Sequence, residues 1–172
     1  FEHKNEVVMP NLVGALTVVA LLASGVATMV VFVLFPDESV LYRILMLSSF
    51  TLLCTIWIVT IFLSGMKRYK EIVALFALGY GITVVLALLL RRFGLEGLLT
   101  GFFLGHCVLL WGMLALTAYD FRPQRLIAFD FARPEMRYPS LLAIGALYNL
   151  GIWADKFMFW LFPDTSEPVV GL

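Results

Sequence analysis

Apolar runs of about 20 residues, almost free of charge, recur along the chain at roughly 12–35, 42–64, 71–90, 96–119 and 139–162, each bounded by charge, proline or glycine. They are apolar around the whole helical circumference, where a helix on a soluble core would show one stripe. None alternates with the two-residue period of a barrel strand. In lipid the backbone must satisfy its own hydrogen bonds, and a helix does so within one segment. The pattern therefore predicts an all-α, polytopic transmembrane helical bundle with five spans visible. The first run is too long for a signal-peptide core and follows the mixed-charge "FEHKNE", so it reads as a retained span. The sequence as given reads as an internal piece of a longer membrane protein.

Composition strengthens this picture. Hydrophobic residues make up 62% and charged residues 14%, against roughly 45–50% and about 25% in soluble domains. The mean hydropathy is +0.96. The formal net charge of +0 says little about partners, because in such a chain the information lies in where Lys and Arg fall relative to the membrane; nucleic acid is not an expected ligand. Cys54 and Cys107 fall inside apolar runs without metal-ligand spacing and read as small hydrophobes. No metal or cofactor is expected. The connectors lack clustered His, Asp and Glu, and no G-x-x-x-x-G-K-[ST] loop is present, so neither an integral-membrane enzyme nor an ATPase is expected.

The placement of charge changes the picture more than its sum does. Lys4, then Lys67, Arg68 and Lys70, then Arg122, Arg125, Arg133 and Arg137 fall on one set of alternating connectors. Opposite them lie Arg43, Arg91 and Arg92. By the positive-inside rule the first set is cytoplasmic, which puts the start of the chain inside and its C-terminal end outside. The connector 120–138 is the long one and mixes arginines with Pro123, Pro134, "LIAF" and Phe131. Three readings fit it: an ordinary solvated basic loop, a segment lying along anionic headgroups, or a link between two helical lobes. Its arginines are candidate contacts for membrane lipid or a partner.

Within the spans, Gly97, Gly101 and Gly105 recur every four residues and predict a seam where another helix approaches closely. His106 follows that seam near mid-span; it is either a proton or hydrogen-bonding site, or a neutral imidazole bonded to its surroundings. The stretch "YNLGIWADKFMFWLF", residues 148–162, places Asp155 and Lys156 side by side in an apolar run. Helical neighbours project about 100° apart, so the two charges serve different faces. Asn149, Trp153, Lys156 and Trp160 share one face, and Tyr148, Gly151, Asp155 and Phe159 the other. Asp155 lies about 24 Å along the axis from Pro139, in the outer part of a bilayer. Lys156 can snorkel outward, whereas a carboxylate facing lipid is costly and is expected to face protein or a wet cavity. Flat aromatics beside fixed polar groups suit a passage for a sugar polymer, whose rings have apolar faces and hydroxyl edges.

The segment "YPSLLAIGALYNLGIWADKFMFW" resembles the "LYNLGIW.DK..FW" pattern of the PelG family, inner-membrane transporters of Pel exopolysaccharide systems. "KRYKEIVALFALGYGIT" and "GLLTGFFLGHCVLL" are similar to the preceding spans of that family. The resemblance implies a twelve-helix, two-lobe transporter of the multidrug/oligosaccharidyl-lipid/polysaccharide exporter superfamily, working by alternating access. The chain would be spans three to seven. Residues 1–119 would be the second part of the N-terminal lobe, 120–138 the basic cytoplasmic inter-lobe loop and 139–172 the first helix of the C-terminal lobe. The resemblance implies a polysaccharide substrate, a cytoplasmic glycosyltransferase that makes it, and membrane scaffold subunits responsive to cyclic-di-GMP. It supplies no catalytic residue; Asp155 and Lys156 come over as motif members. The expected function is export of a hexosamine-rich polysaccharide across the bacterial inner membrane. The alternatives are an ion-coupled drug antiporter using Asp155 or His106, and a non-transporting scaffold for a glycosyltransferase.

Overall fold

The computed structural model describes residues 2–121, 125–133, 135 and 138–161; at 2–6, 141, 142, 155, 157 and 159–161 it describes the backbone alone. The described residues are predominantly helical, and no strand occurs among them. Helices α1 (Glu2–Leu34), α2 (Val40–Gly65), α3 (Tyr69–Leu90), α4 (Gly94–Asp120) and α5 (Pro139–Leu161) follow one another, with single 3₁₀ turns at Arg91–Phe93 and Asp130–Ala132. Three helical stretches are long and apolar enough to cross a membrane: Val7–Leu34, Val40–Gly65 and Tyr69–Asp120, the last holding both α3 and α4. Within α5 the stretch Ala143–Ala154 is apolar but shorter.

The four helices α1–α4 lie within one compact unit, Phe1–Asp130, and α5 within another, Phe131–Leu172. In the first unit α2 packs on α1 and α4, and α4 packs most extensively on α3. Leu52, Ile56, Val59 and Leu63 of α2 meet Leu109 and Met113 of α4, with Leu12 and Leu16 of α1 closing the cluster. Around this core the polarity is inverted relative to a soluble bundle. Leu22, Met29, Trp57 and Trp111 are 66–74% exposed, while Ser49, Thr55, Thr83, His106 and Thr117 are buried. Such an apolar exterior is at rest in lipid and costly in water. The chain is a membrane protein.

Buried hydroxyls could weaken the core, yet most are satisfied locally. Thr55, Thr83 and Thr117 donate to the carbonyls of Leu52, Gly79 and Met113 at 2.7, 2.9 and 2.9 Å, back-bonding along their own helices. The seam between α3 and α4 is closed by glycine. A Cβ at Gly101 would come within 2.5 Å of the Ala87 nitrogen, and one at Gly105 would overlap Thr83. Gly97 is equally tight against the Leu90 carbonyl.

The helix ends are tied in two places. At one end α2 stops in a Schellman arrangement, with the Arg68 N–H on the Leu63 carbonyl (3.1 Å) and the Lys67 N–H on that of Ser64 (2.9 Å). Lys67 takes the left-handed position (φ 61°), where glycine is usual. That turn aims Arg68 at Asp120 on the last turn of α4, with both terminal nitrogen–oxygen distances at 2.6–2.7 Å, while its other nitrogen meets Glu71 at 2.8 Å. The bond to Glu71 and the charge of Asp120 raise the Arg68 pKa further. At the opposite end Ser39 caps α2, accepting from the Tyr42 N–H at 3.0 Å, and donates its hydroxyl to Glu96 on the first turn of α4. Gly94, with φ 69°, turns the chain from α3 into α4.

One boundary departs from the sequence pattern. The first helix begins at Glu2 and runs through Pro10, where the apolar run suggested a start near residue 12. Proline removes one helical donor and leaves the carbonyl four residues before it without that bond. Here Pro10 is fully buried, held by its surroundings within an unbroken helix.

Candidate functional site

Helix α5 begins with Pro139, a residue whose fixed φ suits the first helical position. Its polar side chains are then placed by helix periodicity. Asn149 donates to the Gly145 carbonyl at 2.8 Å, one turn back, so its amide donor is turned onto its own helix. Lys156 sits with Nζ 4.3 Å from the centroid of the Trp153 ring, an arrangement that attracts a cation to the aromatic face. Lys156 and Tyr148 are exposed, and Trp153 is 44% exposed. Asn149, Trp153 and Lys156 thus follow one another along a single face, with the cation held over indole. The backbone of Asp155 and Trp160 belongs to α5; their side chains lie outside the described residues. A Cβ at Gly145 or Gly151 would meet no atom within 4 Å.

His106 has a different setting. It is 2% exposed, its Nδ1 is 2.8 Å from the Phe102 carbonyl one turn back, and its ring stands edge-on to Tyr80 of α3 at 5.4 Å. The Phe102 ring is nearer still, at 4.0 Å. An imidazole donating from Nδ1 to that carbonyl suits this packing, which also fixes α4 against α3 beside the glycine seam. Gly97, Gly101 and Gly105 are all buried against α3, as described above.

Of the connector arginines, Arg125 and Arg133 are exposed; Arg122 and Arg137 lie outside the described residues. The contacts that sequence reasoning missed are those of Arg68 with Asp120, and of Asn11 with Asp130, where the Asp130 N–H donates to Asn11 Oδ1 at 2.7 Å. Asp120 did carry a local signal: an acidic residue in a last helical turn opposes the helix dipole and calls for a compensating cation.

Between α1 and α4 runs a groove of about 580 Å³ lined by Met9, Val13, Leu16, Leu110, Trp111 and Leu114, with Thr17 and Thr55 as polar lining. Both threonine hydroxyls are spent on their own helices, on Val13 at 2.8 Å and Leu52 at 2.7 Å. Such a wall is almost wholly apolar.

The sequence profile of the PelG family, described as "Putative exopolysaccharide Exporter (EPS-E)", matches residues 1–172, the whole chain. No curated protein and no solved structure matches it.

Proposed function

Because the chain belongs to the PelG family, we propose that it is part of an inner-membrane exporter that moves a hexosamine-rich exopolysaccharide outward by alternating access, fed by a cytoplasmic glycosyltransferase. The family match over residues 1–172 carries this reading. In it all five helices cross the membrane, α3 and α4 as separate spans, as part of a larger two-lobe assembly. The end bearing Lys67, Arg68 and Lys70 faces the cytoplasm, since basic residues are retained on that side. Residues 120–138 then join the lobes on the cytoplasmic face, where their arginines are available to anionic lipid, to the glycosyltransferase or to scaffold subunits.

In this mechanism α5 presents its polar face to the polymer. Lys156, steadied over Trp153, offers N–H donors to sugar hydroxyls, and the rings of Tyr148, Trp153 and Trp160 offer flat apolar contact. Asp155, on the adjoining face, acts as a fixed carboxylate in a hydrated path, pairing with amino or hydroxyl groups that pass it. No bond is made or broken; the helix supplies weak, repeated contacts that a moving chain can leave.

The deciding experiment is Asp155→Asn in the full-length protein, which keeps size and hydrogen-bonding capacity and removes charge. Secreted polymer, normalised to inserted protein, should fall about tenfold, a loss of roughly 1.4 kcal/mol in the limiting step. Normal export at normal abundance would remove Asp155 from the path. Loss of protein in proportion to loss of export would make its role structural.

A further inference from the structure

Residues 128–130 of the connector fold back onto the first turns of α1. The Ala128 N–H donates to the Pro10 carbonyl at 2.9 Å. One turn position along, Asn11 grips Asp130 twice: Oδ1 accepts the Asp130 N–H at 2.7 Å, and Nδ2 reaches Asp130 Oδ2 at 3.3 Å. The same Nδ2 lies 3.0 Å from the Val7 carbonyl, which fixes the amide's orientation. Only a side chain with both donor and acceptor can make this grip. Gly14 lets the backbones meet: a Cβ there would overlap the Ala128 carbonyl and lie 3.2 Å from the Phe129 ring. The first compact unit ends at Asp130 and the second begins at Phe131, immediately after the grip.

We propose that 128–130 is a strap fastened to α1 by Asn11, a fixed part of the four-helix unit that stays closed while the protein works. The inference goes beyond the export reading and its first test does not use it. Asn11 is a positioning residue: it holds the connector and touches no substrate. A long basic loop need not be a slack tether when its middle is bonded down at residues over a hundred positions away in the sequence.

The test is limited trypsin cleavage of the full-length protein in detergent, read at the exposed Arg125, three residues before the strap. In N11D two carboxylates face each other and the donor is lost, so cleavage at Arg125 should quicken about tenfold through easier local opening. D130N alone keeps a donor–acceptor pair and should change the rate less than about twofold. N11D/D130N exchanges the groups, so that an amide at position 130 donates to a carboxylate at position 11, but leaves the Val7 carbonyl without its donor; it should bring the rate part of the way back towards wild type, a rescue that general loss of folding does not give. If N11D cannot be purified, N11A removes both bonds without adding charge and is read in the same way. Wild-type cleavage rates in N11D or N11A, or no recovery in the double variant, would overturn the strap. For the strap's permanence, N11C/D130C is crosslinked in membranes with Cys54 and Cys107 replaced. Export per crosslinked molecule should stay within about twofold of the uncrosslinked protein. Export lost on crosslinking and regained with reductant would show that the strap opens in each cycle and overturn its permanence. Failure of wild-type export would count against the export reading and leave the protease result standing.

Discussion

The first four helices and the fifth treat their polar residues in opposite ways. In α1–α4 nearly every buried polar side chain has a local answer: threonines bond their own helices, His106 bonds Phe102, and Arg68 meets Glu71 and Asp120 at the helix ends. Among the described residues charge is confined to the ends, where Arg68 is matched by Glu71 and Asp120. In α5 an aspartate and a lysine, Asp155 and Lys156, occupy adjacent positions inside the helix, away from its ends. The ammonium rests on an aromatic ring, a contact that stabilises it by about 0.5–1 kcal/mol when exposed. The polar groups of the first region lie in its core or at its helix ends; those described in the second, Tyr148, Asn149 and Lys156, lie on the exposed surface of one helix.

That contrast is broken first at the α3–α4 seam. Gly101→Leu places a side chain where even a Cβ meets the Ala87 backbone at 2.5 Å, an overpacking that costs about 1–3 kcal/mol or more. The amount of folded, inserted protein should fall at least about tenfold, with export falling in proportion; normal abundance would show that the seam opens freely.

The opposite signature is expected in α5. Lys156→Met should leave abundance intact and lower export per molecule about tenfold, while Lys156→Arg, which keeps a cation over Trp153, should lose no more than roughly threefold. Unchanged export in both variants would mean that the ammonium is not used.

A smaller effect is expected where charges are matched. Asp120→Asn should lower thermal stability without changing export per folded molecule, and Arg68→Asp combined with Asp120→Arg should recover part of the loss. A fall in export per folded molecule in Asp120→Asn would move this pair from the fold into the transport path. The mildest change runs the other way. Lys67→Gly relieves a left-handed lysine and should raise stability by about 1 kcal/mol; a decrease would show that the lysine side chain matters more than its backbone.

The helices were legible because lipid imposes a single, strong rule on them. Runs at 42–64, 71–90 and 96–119 correspond to helices Val40–Gly65, Tyr69–Leu90 and Gly94–Asp120, differing by a residue or two at the caps. Family membership was legible in the motif around Asp155 and Lys156, and the profile match extends it to the whole chain. The start of α1 was not, because Pro10 looks like a helix boundary unless its burial is known. The spacing of Gly97, Gly101 and Gly105 marks a seam but not its partner face, which is Thr83, Ala87 and Leu90 on α3. Pairings such as Arg68 with Asp120 and Asn11 with Asp130 join residues far apart in the chain, and no local pattern encodes them. For α5, periodicity alone set which residues share a face; the ring on which Lys156 rests is a rotamer choice that sequence leaves open.

The three-residue turn between α3 and α4 bears on how the protein is made. On the proposed topology Arg91 and Arg92, both exposed at that turn, must cross to the far side of the bilayer during synthesis. A link this short cannot leave α3 parked in the membrane while a soluble loop waits for α4. Each arginine at the bilayer centre costs about 2.5–3.5 kcal/mol on insertion scales. On that topology the glycine seam, which lets α3 and α4 approach closely, would offset the cost if the two helices pair early and enter the bilayer as one hairpin.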